Sequence, residues 1–172
     1  FLALHQAAGT APTRPRGSYA GATGMPQFMP SSIARWAIDY DGDGRIDLTH
    51  SPADVIGSVA NYFKAFGWKP GMPTHYAVRF DSDRLDLDGL LAPDILPTFT
   101  TAALRSVGAE VDASADGLDT RFALVELQNG AAAPSHVLGT ENFYVVTRYN
   151  WSSYYAMAVI ELGEAVQVRL RN

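Results

Sequence analysis

The sequence predicts an α+β protein, mainly helical, on three observations. Residues 30–67 read as helix, Asp/Gly-rich loop and helix. Residues 75–80 and 121–128 alternate in the manner of strands, within a stretch rich in Pro, Gly and Thr. A last apolar-periodic run follows Ser152 and Ser153. At 172 residues, with 47% hydrophobic and 18% charged residues, the chain has material for a sizeable core and too little charge for a disordered tail. We divide it into a helical core at 1–70, a small β-containing lobe at 71–141 and a strand/helix segment at 142–172 that returns to the core.

Composition also excludes several function classes. A net charge of -5 without any basic stripe argues against a nucleic-acid partner. The absence of Cys excludes disulfides, a thiolate nucleophile and Cys-ligated zinc. No apolar run approaches the roughly 20 residues that cross a bilayer. The chain starts at Phe1 rather than Met, and its first four residues are too short and uncharged for a signal peptide, so we expect sequence upstream, where any membrane anchor would lie.

In chain order, Phe1 to Ala8 read as the tail of a helix, and the Gly/Pro/Arg stretch from Gly9 to Gly17 as loop. Pro30-Ser31-Ser32 opens a helix carrying Ile33, Trp36 and Ala37. Asp39 to Asp47 is too rich in Asp and Gly to stay helical. Ser51-Pro52 starts a second helix with Val55, Ile56, Val59, Ala60 and Phe63 as its apolar face, ending at Gly67. Strands are expected at His75 to Phe80 and Arg121 to Gln128, with a short helix from Thr101 to Val107 between them. Phe143 to Tyr149 has strand propensity, or forms an extended connector. Ser152 or Ser153 caps a final helix to about Val168.

The sharpest chemical pattern is Asp39-Tyr-Asp41-Gly-Asp43-Gly44-Arg45-Ile46-Asp47, the opening of an EF-hand calcium loop. Carboxylates at positions 1, 3 and 5 converge, Gly44 permits the sharp turn, and Arg45 offers its carbonyl. Anions packed this closely repel one another unless a divalent cation lies between them, and an all-oxygen donor set suits calcium in a structural role. Position 12, where a bidentate Glu is expected, holds His50, which we read as a surface residue. The closing carboxylate is therefore assigned to Asp54, with Asp47 direct or through water; Asp54 also suits a helix N-terminus as an anion. A solvated Asp/Gly turn is the alternative.

Four motifs in order carry a family resemblance. They are Gly17-Ser18-Tyr-Ala-Gly-Ala-Thr-Gly-Met-Pro-Gln27-Phe28-Met-Pro-Ser-Ser32, the Asp-rich loop, Ile56-Gly-Ser-Val-Ala-Asn-Tyr62-Phe63 with Gly67-Trp68, and Asn142-Phe-Tyr144-Val-Val-Thr-Arg-Tyr149-Asn150 with Tyr155-Ala-Met-Ala-Val. Together they resemble the lytic murein transglycosylase B family; from about Pro73 to Glu141 the likeness is loose. The resemblance implies a lysozyme-like helical core and a periplasmic enzyme, free or held at the outer membrane by a lipid signal upstream of Phe1. It implies cleavage of the β-1,4 bond between N-acetylmuramic acid and N-acetylglucosamine in peptidoglycan glycan strands, with formation of a 1,6-anhydro sugar. By match to the motifs, Ser18, Gln27, Phe28, Tyr62, Asn142, Tyr144 and Tyr149 are the candidate substrate-binding residues; loop bonding for the polar ones and core packing for the aromatic ones are the competing readings.

The reaction needs a carboxylic acid of raised pKa. In the family that glutamate precedes the Gly-Ser-Tyr-Ala-Gly motif, in sequence that would lie before Phe1. Glu110, Glu126, Glu141, Glu161 and Glu164 all stand outside its context. The expectation is that this chain has no catalytic residue of its own and pairs with the N-terminal half of the same enzyme as a separate chain. Two other classes stay open: a non-catalytic calcium-dependent glycan- or protein-binding module, though such modules normally duplicate the loop, and a peptidoglycan-binding pseudoenzyme.

Overall fold

The computed structural model describes residues 2–171 apart from Ala8, Thr10, Arg14, Pro15 and Ser82. The chain gathers into two compact units, Phe1–Phe66 and Gly67–Asn172. The segment from 142 onward falls in the second unit, together with the β-containing region.

The first unit holds α1 (Leu2–Ala7), α2 (Pro30–Trp36) and α3 (Pro52–Ala65). The first helix matches the expected one, with Phe1 and Ala8 outside the described residues; so are Thr10, Arg14 and Pro15 of the expected loop. Pro30 occupies the first turn of α2, where its missing N–H costs no bond. The Ser51 hydroxyl caps α3 by accepting from the Asp54 N–H. The buried face of α3 is not the apolar stripe the periodicity suggested. Asp54, Gly57, Ser58 and Tyr62 are buried, whereas Ile56 is 67% exposed. The reason is the loop: the chain leaving α2 lies back along α3 and bonds to it. The Ile38 N–H donates to the Ser58 hydroxyl at 3.0 Å, and the Asn61 amide donates to the Trp36 carbonyl at 3.0 Å. An aromatic cluster of Phe28, Trp36, Tyr62 and Phe66 completes this packing, with ring centroids 4.5–5.8 Å apart.

The second unit is built on a four-stranded antiparallel sheet of order β2-β1-β4-β3, from β1 (His75–Phe80), β2 (Ala109–Val111), β3 (Ala123–Asn129) and β4 (Ala132–Gly139). The helices α4 (Leu87–Leu91) and α5 (Thr101–Ser106) cover it through Leu90, Leu104, Val111, Phe122, Leu124 and Leu138. The expected strands and short helix appear as β1, β3 and α5. Strand β4 escaped notice because Ala132-Ala-Pro134-Ser135 lacks alternation and carries a proline. That proline is tolerated where the β3–β4 pairing shifts register, between Leu127 and Asn129.

The segment from 143 to 149 corrects the expectation of a strand or connector: it lies in α6 (Glu141–Asn150). Thr140 caps the helix by accepting from the Asn142 N–H, and Phe143, Val145, Val146 and Thr147 are buried. Burial of those side chains outweighs the few tenths of a kcal/mol by which β-branched and aromatic residues disfavour helix. Phe143 seats on Gly139, where a Cβ would lie 2.9 Å from its ring. Ser152 caps α7 (Ser153–Leu170), which packs on α6 and β3 and carries Glu161 and Glu164 on its exposed surface. Among the described residues, no helix is long and apolar enough to cross a membrane.

Candidate functional site

In the first unit, Gly17 to Phe28 folds into a tight double-bridged loop. Gly17 pairs with Thr23, and Thr23 with Phe28 through two backbone bonds of 3.0 and 3.2 Å. The Ser18 hydroxyl accepts from the Ala22 N–H at 3.1 Å, leaving its own proton for another partner. Gly24 anchors the loop: its φ is +71°, and an added Cβ would lie 2.7 Å from the Leu48 carbonyl oxygen, which accepts from the Met25 N–H. Gln27 adopts φ +50°, unusual for a residue with a Cβ, while its side-chain amide donates to the Gly24 carbonyl at 2.7 Å. Ser18 and Gln27 are exposed, whereas Phe28 and Tyr62 lie within the aromatic cluster, 2% and 7% exposed.

The acidic loop follows α2. Side-chain oxygens of Asp39, Asp41 and Asp43 lie within 4.8 Å of one another. Backbone N–H groups turn the chain around them: Gly42 and Gly44 donate to Asp39 at 2.7 and 2.8 Å, and Arg45 donates to Asp43 at 2.8 Å. The Ser51 hydroxyl donates to Asp41 at 2.9 Å, tying the loop to the start of α3. Three hard, charged oxygen donors gathered this closely fit a calcium ion.

Asp47 and Asp54 stand outside that trio. Asp54, 1% exposed, accepts from the Tyr40 and Asp47 N–H groups, both at 2.8 Å, and so staples the two ends of the loop. The Asp47 N–H, then that of Tyr40, holds its carboxyl below the ordinary carboxylate range, against the opposing effect of burial. Asp47 is lowered likewise, by the N–H groups of Thr49 and then His50, and its carboxylate also meets the His50 ring at 3.1 Å. Sequence reasoning missed three supports: Ser51 as partner of Asp41, Ser58 as partner of Ile38, and Gly57. An added Cβ on Gly57 would meet Tyr40 Cβ and Cγ at 2.5 Å. In the sequence the Ser-Pro-x-Asp run signalled a helix start and, at Asp54, a closing carboxylate, with nothing to mark Ser51 as the partner of Asp41.

In the second unit, Asn142 is fully buried. Its amide accepts from the Lys69 N–H and donates to the Lys69 and Met72 carbonyls, all at 2.8 Å. Tyr144 and Tyr149 are half-buried: Tyr144 meets Trp151 edge-on at 6.3 Å, and Tyr149 stacks on Tyr155 at 6.3 Å. Glu126 is engaged by His136 at 3.1 Å and by Gln128. A polar recess of about 440 Å³, lined by Lys69, Thr101, Asp119, Arg121 and Glu141 among others, contains none of the predicted site residues.

These features agree with what the chain is similar to. The membrane-bound lytic murein transglycosylase B of Escherichia coli is 38% identical over 168 residues, an overlap of 90% of this chain and 40% of that protein. Among solved structures, the soluble lytic transglycosylase SltB1 of Pseudomonas aeruginosa superimposes with a TM-score of 0.84 at 37% identity, over 98% of this chain and 55% of that one. The Escherichia coli lytic transglycosylase Slt35 in complex with calcium gives 0.84 at 36%, over 99% and 52%. SltB3 of Pseudomonas aeruginosa in complex with NAG-anhNAM-pentapeptide gives 0.75 at 32%, over 92% and 42%. The chain therefore spans about half the length of these relatives, and its α+β fold is that of Slt35. The transglycosylase SLT domain is matched over residues 1–164, and the chain belongs to that family.

Proposed function

We propose that this chain is part of a peptidoglycan lytic transglycosylase of the periplasm, with a lysozyme-like helical core. The reaction cleaves the β-1,4 bond between N-acetylmuramic acid and N-acetylglucosamine. A carboxylic acid protonates the departing glycosidic oxygen; the muramoyl 6-hydroxyl then bonds to its own anomeric carbon and returns its proton to the same carboxylate, giving the 1,6-anhydro sugar. The acid is a glutamate on polypeptide outside residues 1–172, and the partner of this chain is the segment carrying it. The observation that carries this reading is the loop from Gly17 to Phe28, which holds an exposed Gln27 in a costly backbone conformation.

Ser18 and Gln27 contact sugar hydroxyl and acetamido groups in the first unit, and Phe28 and Tyr62 support them from the aromatic cluster. In the second unit Tyr144 and Tyr149 offer ring edges and hydroxyls to the glycan. Asn142 is left out of that set, because its amide is spent on the backbone at 69–72. Asp39, Asp41, Asp43 and the Arg45 carbonyl would hold calcium, with Asp47 and Asp54 shaping the loop around it. Calcium supplies structural cross-linking of the loop. The protein in its full natural length should release anhydro-muropeptides from purified sacculi, read by mass spectrometry, and Gln27→Ala should lower that release at unchanged melting temperature. Release of reducing N-acetylmuramic acid ends instead would overturn the reading.

A further inference from the structure

Helix α6 ends at Trp151, which adopts φ +39° and ψ +48°. Glycine or asparagine normally occupies such a left-handed helix end, since a Cβ there crowds the backbone carbonyl. The ring is nevertheless 57% exposed, so burial does little to offset that crowding. Its surroundings are polar and aromatic. The Arg148 guanidinium carbon lies 5.0 Å from the ring centroid, and Tyr144 meets the ring edge-on at 6.3 Å. The Arg148 guanidinium also reaches the Tyr144 hydroxyl at 3.4 Å. The guanidinium thus lies over one face of the ring and the phenol at its edge, both able to donate hydrogen bonds, while more than half of the residue stays exposed.

We propose that Trp151 is a stacking platform for a pyranose ring, with Arg148 and Tyr144 addressing the polar groups on that ring's edge. A pyranose has an apolar C–H face and a rim of hydroxyls, which is the complement of this cluster. The inference rests on the glycan reading above and adds to it a contact that the family motifs did not supply.

The test compares wild type with Trp151→Gly and Trp151→Phe in the full natural-length protein, using glycan strands of alternating N-acetylglucosamine and N-acetylmuramic acid freed of peptide. Glycine accepts the left-handed conformation, so Trp151→Gly should melt at the wild-type temperature or above it, yet bind the strands roughly three- to ten-fold more weakly. Trp151→Phe should keep most of the affinity. A lower melting temperature for Trp151→Gly would make Trp151 a packing residue and overturn the proposal, as would unchanged binding. If folded wild-type protein binds no strands at all, the glycan reading itself falls, and this inference with it.

Discussion

Replacing Asn142 by alanine tests whether this residue is a backbone clamp or a sugar contact. The side chain is completely buried and makes three hydrogen bonds of 2.8 Å to the chain at 69–72. Alanine leaves one N–H and two carbonyls without their partner. Each such group costs about 1–3 kcal/mol when shut from water. Lys69 lies at the surface, so water reaches part of its backbone, and we expect a net loss of about 2–4 kcal/mol. For a chain of this size that is a fall in melting temperature of roughly 5–15 °C. Asn142→Asp should destabilise at least as much, because a carboxylate would face the two carbonyls that now accept from the amide. Calorimetry and urea titration of both variants give the numbers. A loss under about 1 kcal/mol, together with weakened glycan binding, would refute the clamp and return Asn142 to the sugar contacts.

Gly57→Ala should cost about 1–3 kcal/mol and weaken calcium binding, since the new methyl group must displace Tyr40 and disturb its N–H bond to Asp54; circular-dichroism melts and a calcium titration check both effects. Chelation should lower the melting temperature before it alters chemistry. With free calcium at 100 times its dissociation constant the stabilisation is about 2.7 kcal/mol, and a calorimetric transition unmoved by chelator would contradict it. In the second unit, the carboxyl of Asp112 is held low by the Ser114 hydroxyl and N–H, and that of Asp116 by its hydrogen bonds to Arg105. Groups depressed in the folded state stabilise it above their ordinary value of 3.8 and lose that contribution as pH falls through the folded value. Melting temperature should therefore drop on acidification below about pH 4, and Asp116→Asn should flatten that decline, because its hydrogen bonds to Arg105 no longer depend on a carboxylate losing its charge.

Signals confined to a few neighbouring residues were legible in the chain before it was folded. The Asp39 to Asp47 spacing, the serines before α3 and α7, the proline opening α2 and the alternation of β1 act through local backbone geometry, so the residue order alone reveals them. What folding decided depends on residues distant in sequence. The run from 143 to 149 is helical because its Val, Phe and Thr side chains are buried in the folded unit, and β4 is a strand because β1 and β3 both pair with it. The buried stripe of α3 is Asp54, Gly57, Ser58 and Tyr62 because the returning loop offers N–H groups there. A sequence pattern records a residue's own preference, whereas burial and hydrogen bonding depend on the partner that the fold brings. For that reason Asn142 and Ser58 acquire their hydrogen-bond partners only in three dimensions.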